Sequence, residues 1–377
     1  VYYTGIFCQL VLLGGIVTFV RTRSIPAFIS VLCIIAASAL AFGLMNLDSW
    51  FYRLEHGANS GALVREYKWL EIYGLKIVDL FIPPIVHQWN AFRAFSEHHA
   101  GEAVLQDEGS YLGLVGISAL LLLAGTSIFA VIRRRSQDIP LEAWQILWIV
   151  LFFSTGGLNA FTGLFGFTMF RAACRYSIII LAIALMYSAL KLTKLGEKGS
   201  VLSMFAAAAM SLIILWDQVP RPPTARETES IARQVASDRS FVSAMEAVLP
   251  KNAMVFQIPV MDFPEAPAPG VPPYDHFRPY LYSDHLRFSF GSMKGRPREQ
   301  WQRDLAKLPL TDAVSQIRNR GFKAIYINRN GFPDKGQGIE ETLRSLGHAE
   351  VVNSQEGDLV CVIFAPDPLE KPIKLFP

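Results

Sequence analysis

Several groups of residues in this 377-residue sequence have side chains and spacings that could do chemistry. The first is Arg171 and Arg175, in Phe170-Arg171-Ala172-Ala173-Cys174-Arg175-Tyr176 at the start of an apolar run. Four residues apart on a helix, two arginines share one face. A guanidinium fork matches phosphate oxygens two at a time. Arg65, ahead of another patterned segment, extends the set. A phosphate or pyrophosphate head group of a lipid-linked substrate at the interface would supply one such ligand. Snorkelling to lipid phosphates, or pairing with Glu102 or Glu108, would satisfy the same charges.

A second group lies in Tyr274-Asp275-His276-Phe277-Arg278-Pro279-Tyr280 and Ser283-Asp284-His285-Leu286-Arg287-Phe288-Ser289-Phe290-Gly291. Aromatic rings stack on the apolar face of a sugar while charged groups fix its hydroxyls. Tyr274, Asp275, His276, Arg278, His285 and Arg287 are therefore candidates for a sugar or acceptor surface. Capping a domain at a lipid interface would use the same mixture. Asp275-His276 and Asp284-His285 carry acid/base groups, but no nucleophile accompanies them. His98-His99 with Glu102 offers metal ligands on one helical turn, yet nothing adjacent completes a site and no HExxH occurs, so a solvated loop is the better reading. No metal ligand set is assigned. GxSxG, P-loop and GxGxxG motifs are missing from the sequence. No cofactor is identified, and a divalent metal stays compatible as a helper. Cys8, Cys33, Cys174 and Cys361 are scattered and read as small buried hydrophobes.

The elements that must position these residues belong to two solvents. Mean hydropathy is +0.30, but the apolar content is concentrated in residues 1–216, whereas 217–377 has the composition of a soluble domain. The net charge of +3 argues against a nucleic-acid partner. A bilayer core of about 30 Å needs roughly 20 apolar helical residues. Spans are expected at 1–20, 27–46, 111–132, 143–160, 176–190 and 201–216. The basic connections Arg21-Thr22-Arg23, Arg133-Arg134-Arg135 and Lys191 to Lys198 alternate along the chain, which places all three in the cytoplasm. The segment 47–110, the connection 161–172 and everything after Trp216 then face outward. The chain opens inside an apolar run without a basic leader, so a longer N-terminus is expected.

Within the outer loop 47–110, apolar Leu70, Tyr73, Ile77 and Leu80 recur among Glu66, Lys68, Lys76 and Asp79. That spacing predicts one interfacial helix over 66–81, stopped by Pro83-Pro84. A second short segment is expected around Trp89–Phe95. After a proline-bearing linker, residues 227–247 read as a polar helix. Strands are expected at 253–258, 323–328, 350–353 and 359–364, with helices at 297–307, 311–320 and 339–346. Strand–helix–strand order predicts parallel pairing of the first two strands. The expected fold class is thus a multi-span α-helical membrane protein with a C-terminal extracytoplasmic α/β domain.

This layout resembles the C-type membrane glycosyltransferases (GT-C) of bacterial envelope-polysaccharide pathways, and multi-span proteins of the YfhO type. The residues carrying the likeness are Arg65-Glu66-Tyr67-Lys68-Trp69-Leu70-Glu71-Ile72-Tyr73-Gly74-Leu75-Lys76, Pro83-Pro84-Ile85-Val86-His87, Gly109-Ser110-Tyr111-Leu112-Gly113-Leu114 and the Arg171/Arg175 pair. The resemblance implies an enzyme of the bacterial cytoplasmic membrane, surrounded by membrane lipid. Its donor would be a polyprenyl-phosphate sugar and its acceptor a glycan or lipid. It further implies that Arg171 and Arg175 stabilise the leaving phosphate. Members carry their essential carboxylate in the first outer loop, so here it is expected upstream of Val1, and no catalytic residue is assigned. A lipid-linked-sugar flippase and a non-enzymatic envelope-assembly scaffold are the alternatives.

Overall fold

An apolar segment surrounded by hydrocarbon must satisfy its own backbone, and a helix does so internally. Among the described residues, four helices are long and apolar enough to cross a membrane: Tyr3–Thr22, Ile25–Met45, Gly113–Ile132 and Ala173–Lys194. The computed structural model describes residues 2–103, 109–196, 200–264 and 268–365. Glu108 and the Glu265-Ala266-Pro267 part of the proline-rich loop lie outside the described residues. The chain divides into two units, Val1–Gly57 with Val64–Pro222, and Ala58–Leu63 with Pro223–Pro377. The division falls a few residues after the 216/217 expected from composition. The short Ala58–Leu63 segment, read in the sequence as part of the outer loop, groups with the second unit.

The helices of the first unit are α1 (Tyr2–Thr22), α2 (Ile25–Met45), α3 (Leu47–His56), α4 (Lys68–Ile72), α5 (Asn90–Glu102), α6 (Gly113–Ile132), α7 (Leu141–Phe153), α8 (Leu158–Gly163), α9 (Ser177–Gly196) and α10 (Ser200–Gln218). Their core joins Ile6 of α1, Leu123 of α6, Ile149 and Phe153 of α7, and Ile180 and Ala184 of α9, with Leu75, Leu80 and Tyr176 from the connections. Small residues let these helices approach closely. A Cβ on Gly15 would stand 2.9 Å from Val31, and one on Gly116 would stand 2.4 Å from Leu181.

Two expectations are corrected here. The expected span 143–160 is broken, because α7 ends at Phe153 and Gly156 turns the chain at φ 72°. The backbone of Leu75 then pairs with Phe153 O and Thr155 N at 2.9 and 3.2 Å. At 1.5 Å per residue, the 13 residues of α7 rise about 20 Å, short of the ~30 Å core. The expected span 201–216 falls within α10, whose 19 residues rise about 28 Å, close to the ~30 Å core. The single helix over 66–81 is not formed. α4 covers only Lys68–Ile72, and a 3₁₀ turn follows at Val78–Leu80. The chain opens at Gly74, whose hypothetical Cβ would lie 2.9 Å from the Thr155 backbone. Leu75 and Leu80 are buried there while Ile77 is exposed. Pairing with Ser154 decides the backbone, overriding the helical period.

The second unit contains α11 (Ala225–Val248), β1 (Met254–Ile258), β2 (Arg287–Phe288), α12 (Pro297–Leu305), α13 (Leu310–Asn319), β3 (Phe322–Asn328), α14 (Gln337–Ser345), β4 (Glu350–Asn353) and β5 (Leu359–Ile363). Thr224 starts α11 with a capping box closed by Glu227, which satisfies otherwise orphaned N–H groups. The sheet order is β2-β1-β3-β5-β4. β1 runs parallel to β2 and β3, while β5 is antiparallel to β3 and β4. Alternation along β1 and β3 makes two core layers. Val255, Ala324 and Tyr326 pack with Phe241 and Met245 of α11. Phe256, Ile325 and Ile327 pack with Leu305, Val314, Ile317 and Leu343 of α12 to α14.

Candidate functional site

The first unit holds a cavity of about 540 Å³ lined by both polar and apolar residues. The apolar stretch is Ile82-Pro83-Pro84-Ile85-Val86, and the polar groups are Asp79, His99, Ser96, Tyr111 and Gln218. Each has a local reason for its place. The 3₁₀ turn Val78–Leu80 presents Asp79, whose Oδ1 lies 3.1 Å from His99 Nε2 on α5. Ser96, one turn before His99, donates to Phe92 O at 2.9 Å and also to Pro83 O, which fastens α5 to the proline wall. Leu112 N donates to Leu80 O at 3.1 Å, so the entry of α6 is fixed against the Asp79 turn.

Asp79 is buried, and Lys76 Nζ stands 3.8 Å from its Oδ2. A carboxylate oxygen accepts, so in this contact His99 Nε2 is the donor. A carboxylate orienting an imidazole is the arrangement used for general base work. The sequence gives both residues as titratable, but weighed His99 only as a metal ligand with His98 and Glu102. Among the described residues, no group of three His, Cys, Asp or Glu could hold a metal ion.

A second polar cluster adjoins this cavity through Tyr111 and Gln218. Asp217, at the end of α10, is buried and accepts from Tyr111 Oη at 2.8 Å, Leu114 N at 2.9 Å and Gln218 Nε2 at 3.0 Å. It therefore satisfies one of the free N–H groups that open α6. Gly113 turns there at φ 77°, and a Cβ would stand 2.4 Å from the Gln218 amide. His87, also buried, accepts from Trp89 N through Nδ1 at 3.0 Å. That bond assigns its proton to Nε2, which faces Asp217 Oδ1 at 3.4 Å, too long or misaligned for a hydrogen bond. Gln88 donates to Trp216 O, and the rings of His87, Trp89, Phe92 and Trp216 pack together.

The arginines sit differently from the sequence expectation. Arg171 lies ahead of any helix, and Arg175 belongs to the 3₁₀ turn Ala173–Tyr176, so the shared α-helical face is not formed. Arg171 is half-buried, while Arg175 and Arg65 are exposed. None of the three lines the cavity. The neighbouring Cys174 donates N–H to Tyr73 O at 3.0 Å and accepts from Ser110 Oγ at 3.3 Å, which ties this turn to the segment between Gly109 and Tyr111 of the cavity lining. Asn159 holds the other arm of this segment by donating to Phe170 O at 2.9 Å.

In the second unit, half of the expected sugar surface is internal. His276 is buried against Pro259 O at 2.8 Å, and burial lowers its pKa. Arg278 is gripped by Asp238 (2.5 Å), Asp358 (2.9 Å) and Asp275 (3.5 Å). Burial opposes its charge, but the Asp238 bonds and the charges of Asp275 and Asp238 prevail and hold the proton more tightly than usual. Asp275 also accepts from Asn328 Nδ2 at 2.6 Å. Phe263, Tyr274, Phe277 and Phe290 contact one another edge to face or stacked. His276, Arg278 and Asp275 thus tie the long 259–296 connection to α11, β3 and the β4–β5 turn. His285 is half-buried, 3.9 Å from Glu246, whereas Tyr274 and Arg287 are exposed.

Comparison with protein-family models, with characterised proteins and with solved structures finds no match to this chain.

Proposed function

We propose that the chain is a membrane glycosyltransferase that takes a polyprenyl-phosphate-linked sugar and builds or modifies a cell-envelope glycan. In this reading it resides in the bacterial cytoplasmic membrane, with the second unit outside the cytoplasm. The observation that carries the proposal is the Asp79–His99 pair in the lining of a cavity that is also lined by the apolar stretch Ile82 to Val86. A lipid-linked sugar needs both surfaces, one for its prenyl chain and one for its sugar and phosphate.

The chemistry assigned to the pair is a single displacement. His99, oriented by Asp79, takes the proton of the acceptor hydroxyl as its oxygen attacks the anomeric carbon. The new C–O bond forms as the bond from that carbon to the phosphate oxygen breaks, and polyprenyl phosphate leaves with the electron pair. The exposed Arg175 is assigned to the leaving phosphate, with Arg171 and Arg65 as further candidates. The exposed Tyr274 and Arg287, with His285, are the second unit's remaining candidates for acceptor contact.

The test is sugar transfer from a polyprenyl-phosphate donor panel by the purified chain and by variants that insert normally. Loss of the base lowers turnover on the order of 10²- to 10⁴-fold in His99→Ala. Asp79→Asn follows in the same direction, and Arg175→Ala weakens donor binding about tenfold. Parental turnover by both Asp79→Asn and His99→Ala contradicts the proposal. A transport reading rests on the buried ionisable groups Asp217, at the end of the apolar helix α10, and His87, in the connection before α5. It predicts movement of the lipid-linked sugar across vesicles with no transfer product.

A further inference from the structure

We propose that the groove between α6 and α7 is a binding site for an anionic phospholipid of the surrounding bilayer. It has a volume of about 490 Å³ and is almost wholly apolar. Its floor is formed by the buried Leu123, Ile139 and Ile146, and its walls by the exposed Ile128 and Leu147 with Trp144. On α6 the lining runs from Leu120 to Ile132. At 1.5 Å per residue that is about 18 Å, close to half of a ~30 Å hydrocarbon core. The groove therefore has the length of one leaflet, and one acyl chain fills it from end to end.

The charge at one end selects the head group. Ile132 is followed at once by Arg133, Arg134 and Arg135, all exposed. Arg134 turns at φ 57°, and Arg134 N and Arg135 N close the helix end on Val131 O and Ala130 O at 2.9 Å each. A fourth cation comes from α1, where Arg21 Nη2 donates to the carbonyl of the groove residue Ile139 at 2.7 Å. Arg133 rests over the Phe129 ring at 4.1 Å. Asp138 and Glu142 follow in sequence, but among the described residues no carboxylate pairs with Arg133, Arg134 or Arg135. Trp144 in the groove wall suits the interface at that depth. Apolar depth of one leaflet with arginine forks at its mouth fits a phosphodiester lipid carrying net negative charge, and a zwitterionic lipid fits less well.

The site is distinct from the Asp79–His99 cavity, which lies against the opposite end of α6, and does not depend on the transfer reaction. The test is native mass spectrometry of the delipidated full chain, titrated with phosphatidylglycerol and with phosphatidylcholine of identical tails. Phosphatidylglycerol is expected to bind about tenfold more tightly. The triple variant Arg133→Gln/Arg134→Gln/Arg135→Gln brings the two lipids to equal affinity. Ala124→Trp, which fills the exposed side of the groove, weakens both lipids, and soluble glycerol phosphate fails to compete. Equal binding of the two lipids by the parent chain overturns the proposal, as does retention of the preference in the triple variant. Undiminished binding in Ala124→Trp, or competition by glycerol phosphate, removes the groove from the site and also overturns it.

Discussion

Asp79 and His99 show how chemistry separates from sequence spacing. A reading by spacing joins residues three or four apart, so it grouped His98, His99 and Glu102 on one turn. The bond that matters links α5 to a turn twenty residues earlier, and only the folding of 75–83 against α6 reveals it. Asp275, His276 and Arg278 teach the reverse. Their types fit a sugar surface, but the domain spends them internally, because three carboxylates surround one guanidinium. Burial also leaves a pH signature. His276 and His348 both have pKa values below the ordinary 6.5, His276 through burial, and His348 through burial followed by the charge of Arg318. The unfolded chain takes up these protons near 6.5, whereas the folded chain does so only at lower pH. Their contribution to stability is thus complete above 6.5 and is lost as pH falls toward the depressed folded values. Hydrogen exchange of β1 and β3 amides should accelerate as pH is lowered from about 7 to about 5, after correction for intrinsic rates. The double variant His276→Gln/His348→Gln should flatten that dependence. An unchanged slope in the double variant contradicts this assignment.

At the scale of elements, apolar runs without breaks were legible, and so were the strands of the second unit. α1, α2, α6 and α9 follow from length and composition, β1, β3 and β5 from short buried runs, and β4 from the β-branched pair Val351-Val352. What the pattern could not show is where a tertiary partner ends a helix. Residues 66–81 have a helical period, yet Leu75 pairs with Ser154 in extended form, and that pairing also cuts the expected span 143–160. The short helix α3 has a helical stripe, Leu47, Trp50, Phe51 and Leu54, but at ten residues it is too short to stand out from the long outer loop that surrounds it. Gly74 is the residue on which this crossing depends. Gly74→Ala places a methyl 2.9 Å from the Thr155 backbone, which has no flexible end to yield. A loss of about 1–3 kcal/mol is expected, seen as a lower thermal midpoint in detergent. Gly101→Ala on α5 meets nothing within 4 Å, and should be neutral or stabilising by up to about 1 kcal/mol. Equal midpoints for parent and Gly74→Ala would remove the Leu75–Ser154 crossing from the account.

At the scale of the whole molecule, composition divides the chain at 216/217, and the contact-based division of the two units falls close by, at Pro222/Pro223. The transmembrane orientation rests on the alternation of basic connections and is tested directly by impermeant thiol labelling. In a background lacking Cys8, Cys33, Cys174 and Cys361, cysteines introduced at Ala58 and Ser230 should label in intact spheroplasts. One introduced at Gly196 should not, and labelling at Gly196 alone reverses the orientation. The proposed function makes its strongest claim about place, that a lipid-linked sugar occupies the cavity bounded by Asp79, His99 and the 82–86 wall. The most direct measurement is photocrosslinking of the reconstituted chain with a polyprenyl-phosphate sugar bearing a diazirine near its first isoprene unit, followed by peptide mapping. The account predicts adducts on Ile82 to Val86 or on α5 between Ser96 and Ala103, suppressed by excess unlabelled donor. Saturable adducts confined to the α6–α7 groove or to the second unit would contradict it.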